Sequence, residues 1–365
     1  MVRRSRVTSS DVAKLAGVNQ STVSRALSGD GNVSPETRKR VEDAAETLGY
    51  SPNAIARSLI TRQTNIIGIV TADITIPFQP YVLEKFIQKL QAIGKQVLIF
   101  TAAPDQKVDD LLPTALQYQV DALIVMSATL FSKPLYDCSR GGTAVVLFSR
   151  YMEGGFVSSV SCDNLAAGRM VADFLLDIGH HRLAYMAGDP DSSTNRDRQQ
   201  GFMTRLWERE AAKPLVVESN RYTYDAGYAV ALPLLKRGNP PDAIFCSSDS
   251  LALGTIDAAR EVGIAIPDKL SVVGFDDIPM AGWNAYSLTT VRLPVEEMID
   301  ATIQLALEQT GGASAPVATR FPGTLIQRKS SRVAAVPSPV GVEDHVDRSH
   351  DRPMHRSAGV PKVRE

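Results

Sequence analysis

The chain has 365 residues, 44% of them hydrophobic and 22% charged, the composition of a folded protein with two or three domains rather than of a disordered or fibrous one. Its net charge of −1 hides an asymmetry: residues 1–62 carry ten Lys and Arg against six Asp and Glu, a balance of +4, leaving 29 against 34, or −5, for the remainder. No apolar run reaches the roughly 18 residues of a membrane span and the start lacks a signal-peptide h-region, so a cytoplasmic protein with no membrane contact is expected. The three cysteines, Cys138, Cys162 and Cys246, form an odd, widely spaced set with no CxxC, which predicts reduced thiols and neither a disulfide frame nor a zinc site. No metal or cofactor is expected.

Thr8-Ser-Ser-Asp11 has the form of a capping box and opens a first short helix, with Val12, Ala13, Leu15 and Ala16 predicted as its apolar face. Gly17 ends that helix, since glycine readily takes the left-handed conformation of a helix terminus. Asn19 caps a second helix, which returns Val23, Ala26 and Leu27 to the core and leaves Gln20, Ser21, Thr22, Ser24 and Arg25 facing outward. That polar face suits the reading of base edges in a major groove, although an ordinary helical hairpin with a solvated face has the same pattern. Ser34-Pro35 starts a third helix that ends at Gly49, with Val41, Ala44, Ala45 and Leu48 inward. Three helices in about 48 residues make a marginal core. Ser51-Pro52 breaks the chain, and Asn53 to Ile60 could form two helical turns, too short to be stable alone in water. Leu59 is an apolar residue that such a hinge could present outward.

From Thr64 buried strands alternate with helices. Strands are predicted at 66–70, 96–100, 122–126 and 144–148, and again at 182–186, 215–218, 243–246 and 270–274, with a helix from Ala167 to Ile178 opening the second set. This rhythm implies two α/β lobes, each a doubly wound parallel sheet, with a ligand cleft outside the carboxyl ends of the strands. Residues from Val336 onward are rich in Pro, His and charge and read as a disordered tail.

Val7-Thr-x-x-Asp11-Val-Ala-x-x-Ala16-Gly-Val with Ser21-Thr-Val-Ser-Arg25, Tyr50-x-Pro-Asn53 with Ala56 and Leu59, and Val272-Val-Gly-Phe-Asp276-Asp277 together resemble the LacI/GalR transcriptional regulators over residues of about 6 to 332. The resemblance implies a helix-turn-helix head (1–49), a hinge (50–63), and a two-lobed periplasmic-binding-protein-like core (64–335) followed by the tail (336–365). The first lobe would comprise about 64–163 and 292–322, the second about 164–291 and 323–335. It further implies a homodimer on double-stranded operator DNA, associated with the nucleoid, most commonly as a repressor of a carbohydrate operon. Carried over residue by residue, Gln20, Ser21 and Arg25 would read bases, while Thr8, Thr22, Ser24 and Asn53 would hold phosphates. Ala56 and Arg57 would lie along the minor groove, with Leu59 wedged into a base step.

Phe78, Arg150, Arg198, Tyr222, Ser248 and Asp276 would contact a small effector, a sugar, sugar acid or sugar phosphate. For two of these a structural role is the competing expectation: Asp276 could cap the next segment, and Arg198 could pair with Asp197 or Asp189. The chain departs from the family's usual pattern at Ser149-Arg150, where Asp often precedes the Arg, and at Ser248-Asp249, where Asn-Asp is common. The effector therefore cannot be transferred from a familiar member, and with Arg150 near Arg198 an acidic sugar comes into view. GxGxxG after the first strand, GxxxxGK[ST], HExxH and GxSxG are all missing, and the histidines outside the tail are His180 and His181, so no enzyme is expected. The alternative is a sugar-binding transport receptor without DNA binding, which the basic head argues against.

Overall fold

The computed structural model describes residues 7–28, 33–51, 63–103, 106–127, 129, 132–310 and 315–333. The sequence-based assignments to Asn53, Ala56, Arg57, Leu59 and the tail lie outside these residues.

Three helices, α1 (Ser9–Ala16), α2 (Gln20–Ser28) and α3 (Pro35–Leu48), make the head. Gly17 takes φ 65 and Gly49 φ 64, the left-handed values that end α1 and α3. Asn19 Oδ1 accepts the Thr22 N–H at 2.9 Å, and Ser34 Oγ accepts the Thr37 N–H at 3.2 Å. Asp11 carries the N-terminal box, its Oδ2 taking both the Thr8 N–H and the Thr8 hydroxyl, at 3.0 and 2.8 Å. The core consists of Val12, Ala13, Ala16, Val23, Ala26, Val41, Ala44 and Ala45. Five of these eight are alanines, so the helices approach closely but bury little apolar area each. Two α3 arginines add polar staples, Arg40 Nη2 donating to Ala16 O at 2.8 Å and Arg38 Nη1 to Ala26 O at 2.5 Å, which satisfies carbonyls left open at the ends of α1 and α2. One expectation fails: Leu15 is 54% exposed rather than inward. At 100° per residue Val12, Ala13 and Ala16 complete the buried stripe, and Leu15 falls beside it.

The body contains two six-stranded sheets. The first consists of β1 (Ile66–Thr71), β2 (Gln96–Thr101), β3 (Ala122–Val125), β4 (Ala144–Phe148), β5 (Ser158–Cys162) and β11 (Ala318–Phe321), in the order β11-β5-β4-β3-β1-β2 and parallel throughout. The second consists of β6 (Leu183–Ala187), β7 (Leu215–Glu218), β8 (Ala243–Cys246), β9 (Ser271–Asp276), β10 (Thr289–Arg292) and β12 (Thr324–Ile326), in the order β12-β10-β9-β8-β6-β7, with only the β10–β12 pair antiparallel. Helices α4 (Phe78–Ala92), α5 (Leu112–Gln117), α6 (Lys133–Arg140) and α11 (Val295–Glu308) accompany the first sheet. Helices α7 (Asn164–Asp177), α8 (Ser193–Glu208), α9 (Tyr224–Leu235) and α10 (Asp249–Glu261) accompany the second.

The chain passes from one lobe to the other after Cys162, after Arg292 and across Pro322-Gly323. Central strands are buried on both faces, as parallel sheets require. Aromatic edges fill the space between sheet and helix: Phe86 meets Phe148 edge-on at 5.0 Å, and Tyr185, Phe202 and Phe245 form a second group.

Strands β5 and β10 escape the hydrophobic reading because they carry Ser158, Ser159, Ser161, Thr289 and Thr290 in fully covered positions. Burial costs little there where the hydroxyls bond. Gln309 Nε2 donates to Ser158 Oγ at 2.7 Å, and Thr290 Oγ1 donates to Asp249 Oδ1 at 2.6 Å. Among the described residues no helix is long and apolar enough to cross a membrane, and no cluster of His, Cys, Asp or Glu could hold a metal ion. All three cysteines are free and buried, and burial pushes Cys162 up to about 11 and Cys246 up to about 12.

Candidate functional sites

The outward face of α2 gathers the head's candidate readers. Gln20, Ser21, Ser24 and Arg25 are exposed and Thr22 is half-buried. Gln20, Ser21, Thr22 and Arg25 each make a hydrogen bond within the head. Ser21 Oγ and Thr22 Oγ1 each donate to Asn19 Oδ1 at 2.7 Å, Gln20 Nε2 donates to Ser9 Oγ at 2.8 Å, and Arg25 Nε donates to Ser21 O at 3.3 Å. Thr8 presents its hydroxyl to Asp11 at the start of α1. Bonds made in water can be exchanged for base edges or phosphate oxygens at small net cost. The surface is thus held in shape without being locked.

The second site is a cavity of about 280 Å³ between the carboxyl ends of the two sheets. All six side chains that the sequence reading selected line it: Phe78, Arg150, Arg198, Tyr222, Ser248 and Asp276. Phe78 opens α4, Arg150 follows β4, and Arg198 projects from α8. Tyr222 precedes α9, Ser248 caps α10 by accepting the Leu251 N–H at 3.4 Å, and Asp276 ends β9.

Arg198 is fixed on all sides. Its Nε donates to Asn164 Oδ1 at 2.9 Å and its Nη1 to Ser247 O at 2.5 Å, while its Nη2 lies 3.5 Å from Asp276 Oδ1. Its guanidinium stacks on Phe275, 3.5 Å from the ring centroid. Pairing of Arg198 with Asp197 or Asp189 is therefore not what forms. Asp197 instead accepts the Tyr151 hydroxyl at 2.8 and 2.9 Å, and Asp189 lies 3.9 Å from Arg150. Nor does Asp276 cap a following helix, for its backbone turns at φ 111 and its carboxylate faces Arg198. Burial raises the Asp276 carboxyl to about 6, against the lowering pull of Arg198.

Two close approaches shape this cavity. A Cβ on Gly188 would stand 2.3 Å from the Tyr222 ring, so glycine is what lets that ring lie against the end of β6, with Arg150 5.9 Å from its centroid. A Cβ on Gly274 would stand 2.2 Å from Asp249 Oδ1. Asp249 is fully buried, accepts from Thr290 Oγ1 and from the Ile278 N–H at 2.9 Å, and so ties the turn after Asp276 to α10. Burial holds its carboxyl well above the usual range.

Further lining residues went unselected in the sequence, among them Ser127, Asp189 and Asn220. Each lies two positions beyond the end of a strand, β3, β6 and β7 respectively. The rule that ligands meet sheets at the carboxyl ends could have found them.

A Ser–His–Asp grouping also exists, with His180 Nε2 2.8 Å from Ser271 Oγ and Nδ1 3.3 Å from Asp242 Oδ1. All three residues are buried, and Ser271 Oγ also accepts the Arg332 N–H at 3.0 Å. The grouping pins the last described segment to the second lobe, and burial lowers the His180 pKa.

Residues 8–53 match the lacI family of bacterial regulatory proteins, and residues 172–331 match the periplasmic binding protein-like domain family. The HTH-type transcriptional regulator GalS of Salmonella typhimurium is 34% identical over 327 residues, covering 89% of this chain and 96% of its own. The HTH-type transcriptional regulator AscG of Escherichia coli is 32% identical, covering 88% and 97%.

The chain belongs to the LacI/GalR family of transcriptional regulators.

Among solved structures, the transcriptional regulator CelR–cellobiose complex superposes with a TM-score of 0.67 at 30% identity, covering 89% of this chain and all of the other. The lac repressor dimer bound to operator and the anti-inducer ONPF gives 0.80 at 23% identity, covering 90% and 99%, a likeness of fold. This member of the LacI/GalR family is thus a DNA-binding transcriptional regulator whose head carries the helix-turn-helix and whose body has two lobes enclosing a cleft.

Proposed function

We propose that this regulator binds operator DNA as a homodimer, in the cytoplasm, and represses a carbohydrate-related operon under control of a small effector held in the inter-lobe cleft. Gln20, Ser21 and Arg25 read base edges; Thr8, Thr22 and Ser24 hold phosphates. Asn53, Ala56, Arg57 and Leu59 act in the hinge by resemblance alone. The observation that carries the effector assignment is the charge pairing of the cleft. Arg150, Arg198 and Arg221 face three carboxylates, Asp73, Asp189 and Asp276, in one cavity, with Arg198 and Arg150 each within 4 Å of an Asp. Paired guanidinium and carboxylate groups offer both donors and acceptors to hydroxyls, and Phe78 and Tyr222 offer apolar faces to a ring. A neutral polyhydroxylated ligand completes such a site with no unbalanced charge, whereas an added carboxylate or phosphate would outnumber its three cations. A sugar is therefore preferred here to a sugar acid or sugar phosphate. No catalytic step belongs to this reading.

The mechanism is linkage. Two heads grip DNA only at a fixed spacing, and an effector that prefers one arrangement of the lobes shifts operator affinity by a coupling of about 1–3 kcal/mol. The test is gel retardation with DNA upstream of the protein's own gene, repeated with a panel of neutral sugars, sugar acids and sugar phosphates, alongside thermal-shift binding of the same panel. Specific retardation altered by a neutral sugar is the expected result. High-affinity sugar binding with no retardation of any duplex would favour the transport-receptor alternative, and response to acids alone would reverse the effector class.

A further inference from the structure

The first lobe begins at Thr64 and Asn65, one residue beyond residues 52–62, and these two residues are held by one buried carboxylate. Asp121, directly before β3, accepts the Thr64 N–H at 2.7 Å and the Thr64 hydroxyl at 2.9 Å on Oδ1, and the Asn65 N–H at 3.0 Å on Oδ2. Lys95, directly before β2, places its Nζ 3.3 Å from Asp121 Oδ2 and 3.0 Å from Asn65 Oδ1. The Asp121 side chain is 4% exposed and the Lys95 side chain 17%. Backbone bonds of 2.8 Å, from Gln96 N to Asn65 O and from Asp121 N to Ile66 O, close the same knot. The starts of three adjacent strands, β1, β2 and β3, thus meet at one ion pair. Asn65 sits at φ 56, a left-handed conformation that asparagine tolerates better than most residues and that the bonds to its N–H, carbonyl and side chain help to hold. Hydrogen bonds to an ionised acceptor are the strong kind that can do so.

The far ends of these strands reach the cleft, those of β1 and β3 side by side. Ala72 and Asp73 follow β1, and Met126 and Ser127 follow β3; all four line the cavity, and the Ala72 N–H donates to Ser127 Oγ at 3.2 Å. Strand β1, hydrogen-bonded to β2 on one side and β3 on the other, spans about 20 Å at about 3.3 Å per residue. A strand paired on both sides moves as part of its sheet. What moves the cleft end of β1 moves Thr64 as well, provided Thr64 is fixed to the sheet.

We propose that Asp121 is a positioning residue for DNA recognition: with Lys95 it clamps the chain where it leaves the body toward the head, so that the spacing and orientation of the heads follow the first lobe. The proposal rests on the regulator reading given above. Its consequence is specific. Loosening the clamp leaves α2 and its phosphate contacts intact but removes the fixed geometry that specific binding requires. The discrimination between specific and random DNA falls, rather than DNA binding as a whole.

The test uses the full chain with two probes, a duplex enriched by the wild-type protein from a randomised library and a scrambled duplex of equal length. Asp121→Asn keeps the size of the side chain but turns one acceptor oxygen into a donor group, which leaves one N–H of Thr64 or Asn65 without its partner. Its specific affinity is expected to fall tenfold or more while scrambled-duplex affinity stays within twofold. Thr64→Val keeps the Thr64 N–H on Asp121 but removes the hydroxyl, with its bonds to Asp121 Oδ1, the Gln119 carbonyl and the Ile66 N–H; it is expected to move the ratio the same way by a smaller factor and serves if the first variant folds poorly. An unchanged ratio of specific to scrambled affinity in the variants, whether both affinities hold or both decline with the folded fraction, would overturn the clamp. Failure of the wild-type chain to enrich any duplex would overturn the regulator reading, and the clamp with it.

Discussion

The head and the cleft are both polar recognition surfaces, built on opposite terms. On α2 Gln20, Ser21 and Arg25 are exposed and Thr22 is half-buried, and their bonds to Ser9, Asn19 and the Ser21 carbonyl are ones that water can replace. In the cleft Arg198 and Asp276 are almost wholly enclosed, and every neighbour of Arg198 is placed by an element of the second lobe. The surface that must meet a large, hydrated, charged polymer keeps its groups exchangeable. The surface that must recognise a small molecule spends folding energy in advance to hold its groups in place. The same contrast runs through the cores beneath them, five alanines in eight buried residues under α2 against Phe86, Phe148, Tyr185, Phe202 and Phe245 behind the cleft.

The comparison predicts unequal costs for equal-looking substitutions. Arg198→Ala should have the largest effect, because it leaves Asp276, Asn164 and the Ser247 carbonyl buried without their partner; removing one member of a buried pair costs about 3–5 kcal/mol of stability. A calorimetric melt of the variant should show the loss in the body and abolish effector response. A melt unmoved from wild type would mean the cleft is not preorganised as described.

Arg25→Ala should remove about 1–3 kcal/mol of discrimination between the cognate duplex and its base-substituted versions, with a change in melting free energy within about 0.5 kcal/mol. Competition gel retardation measures the first and calorimetry the second. Stability loss comparable to that of Arg198→Ala would erase the contrast.

The pH dependence of the cleft follows from Asp276, whose carboxyl lies at about 6 in the folded chain against an ordinary 3.8. Between those values the folded state binds more protons than the unfolded state, so this group's contribution to stability declines as pH rises through that window. Effector binding that uses the ionised carboxylate as an acceptor should run the other way, weakening as pH falls below about 6. Affinity titrations of the strongest ligand from the sugar panel should show that inflection in the wild type and a flat profile in Asp276→Asn. The same inflection persisting in Asp276→Asn would assign it to another group.

The smallest effect is expected at Gly17, where alanine must adopt φ 65. Gly17→Ala should cost about 1 kcal/mol, read as a lower melting temperature of the head with the body unchanged. It would sharpen the picture of a head with little stability to spare.

Much of this protein was legible in order of residues. Capping groups at Thr8–Asp11, Asn19 and Ser34, stops at Gly17 and Gly49, and the period of Val12, Ala16, Val23, Ala26 and Val41 specify the three-helix head, because these effects act within a few residues along the chain. The apolar strands of both sheets were equally plain. Hydroxyl-rich β5 and β10 were not, since a serine or threonine strand is distinguishable from a loop only when the groups that satisfy its hydroxyls are known, and those come from α10, from Gln309 and from the segment near Ser330. Leu15 likewise matched an apolar pattern and yet faces water. The six cleft residues could be named from the family resemblance, but their pairing could not. Arg198 reaches Asp276 across 78 positions and Arg150 reaches Asp189 across 39, with no local pattern recording either contact. Asp121 was invisible for the same reason: an acidic residue before a strand becomes a clamp only when three parallel strands bring Thr64, Asn65 and Lys95 to one point. Local geometry, periodicity and capping were written in the chain itself; which charges meet, and what each then holds in place, was decided by the packing of the two sheets.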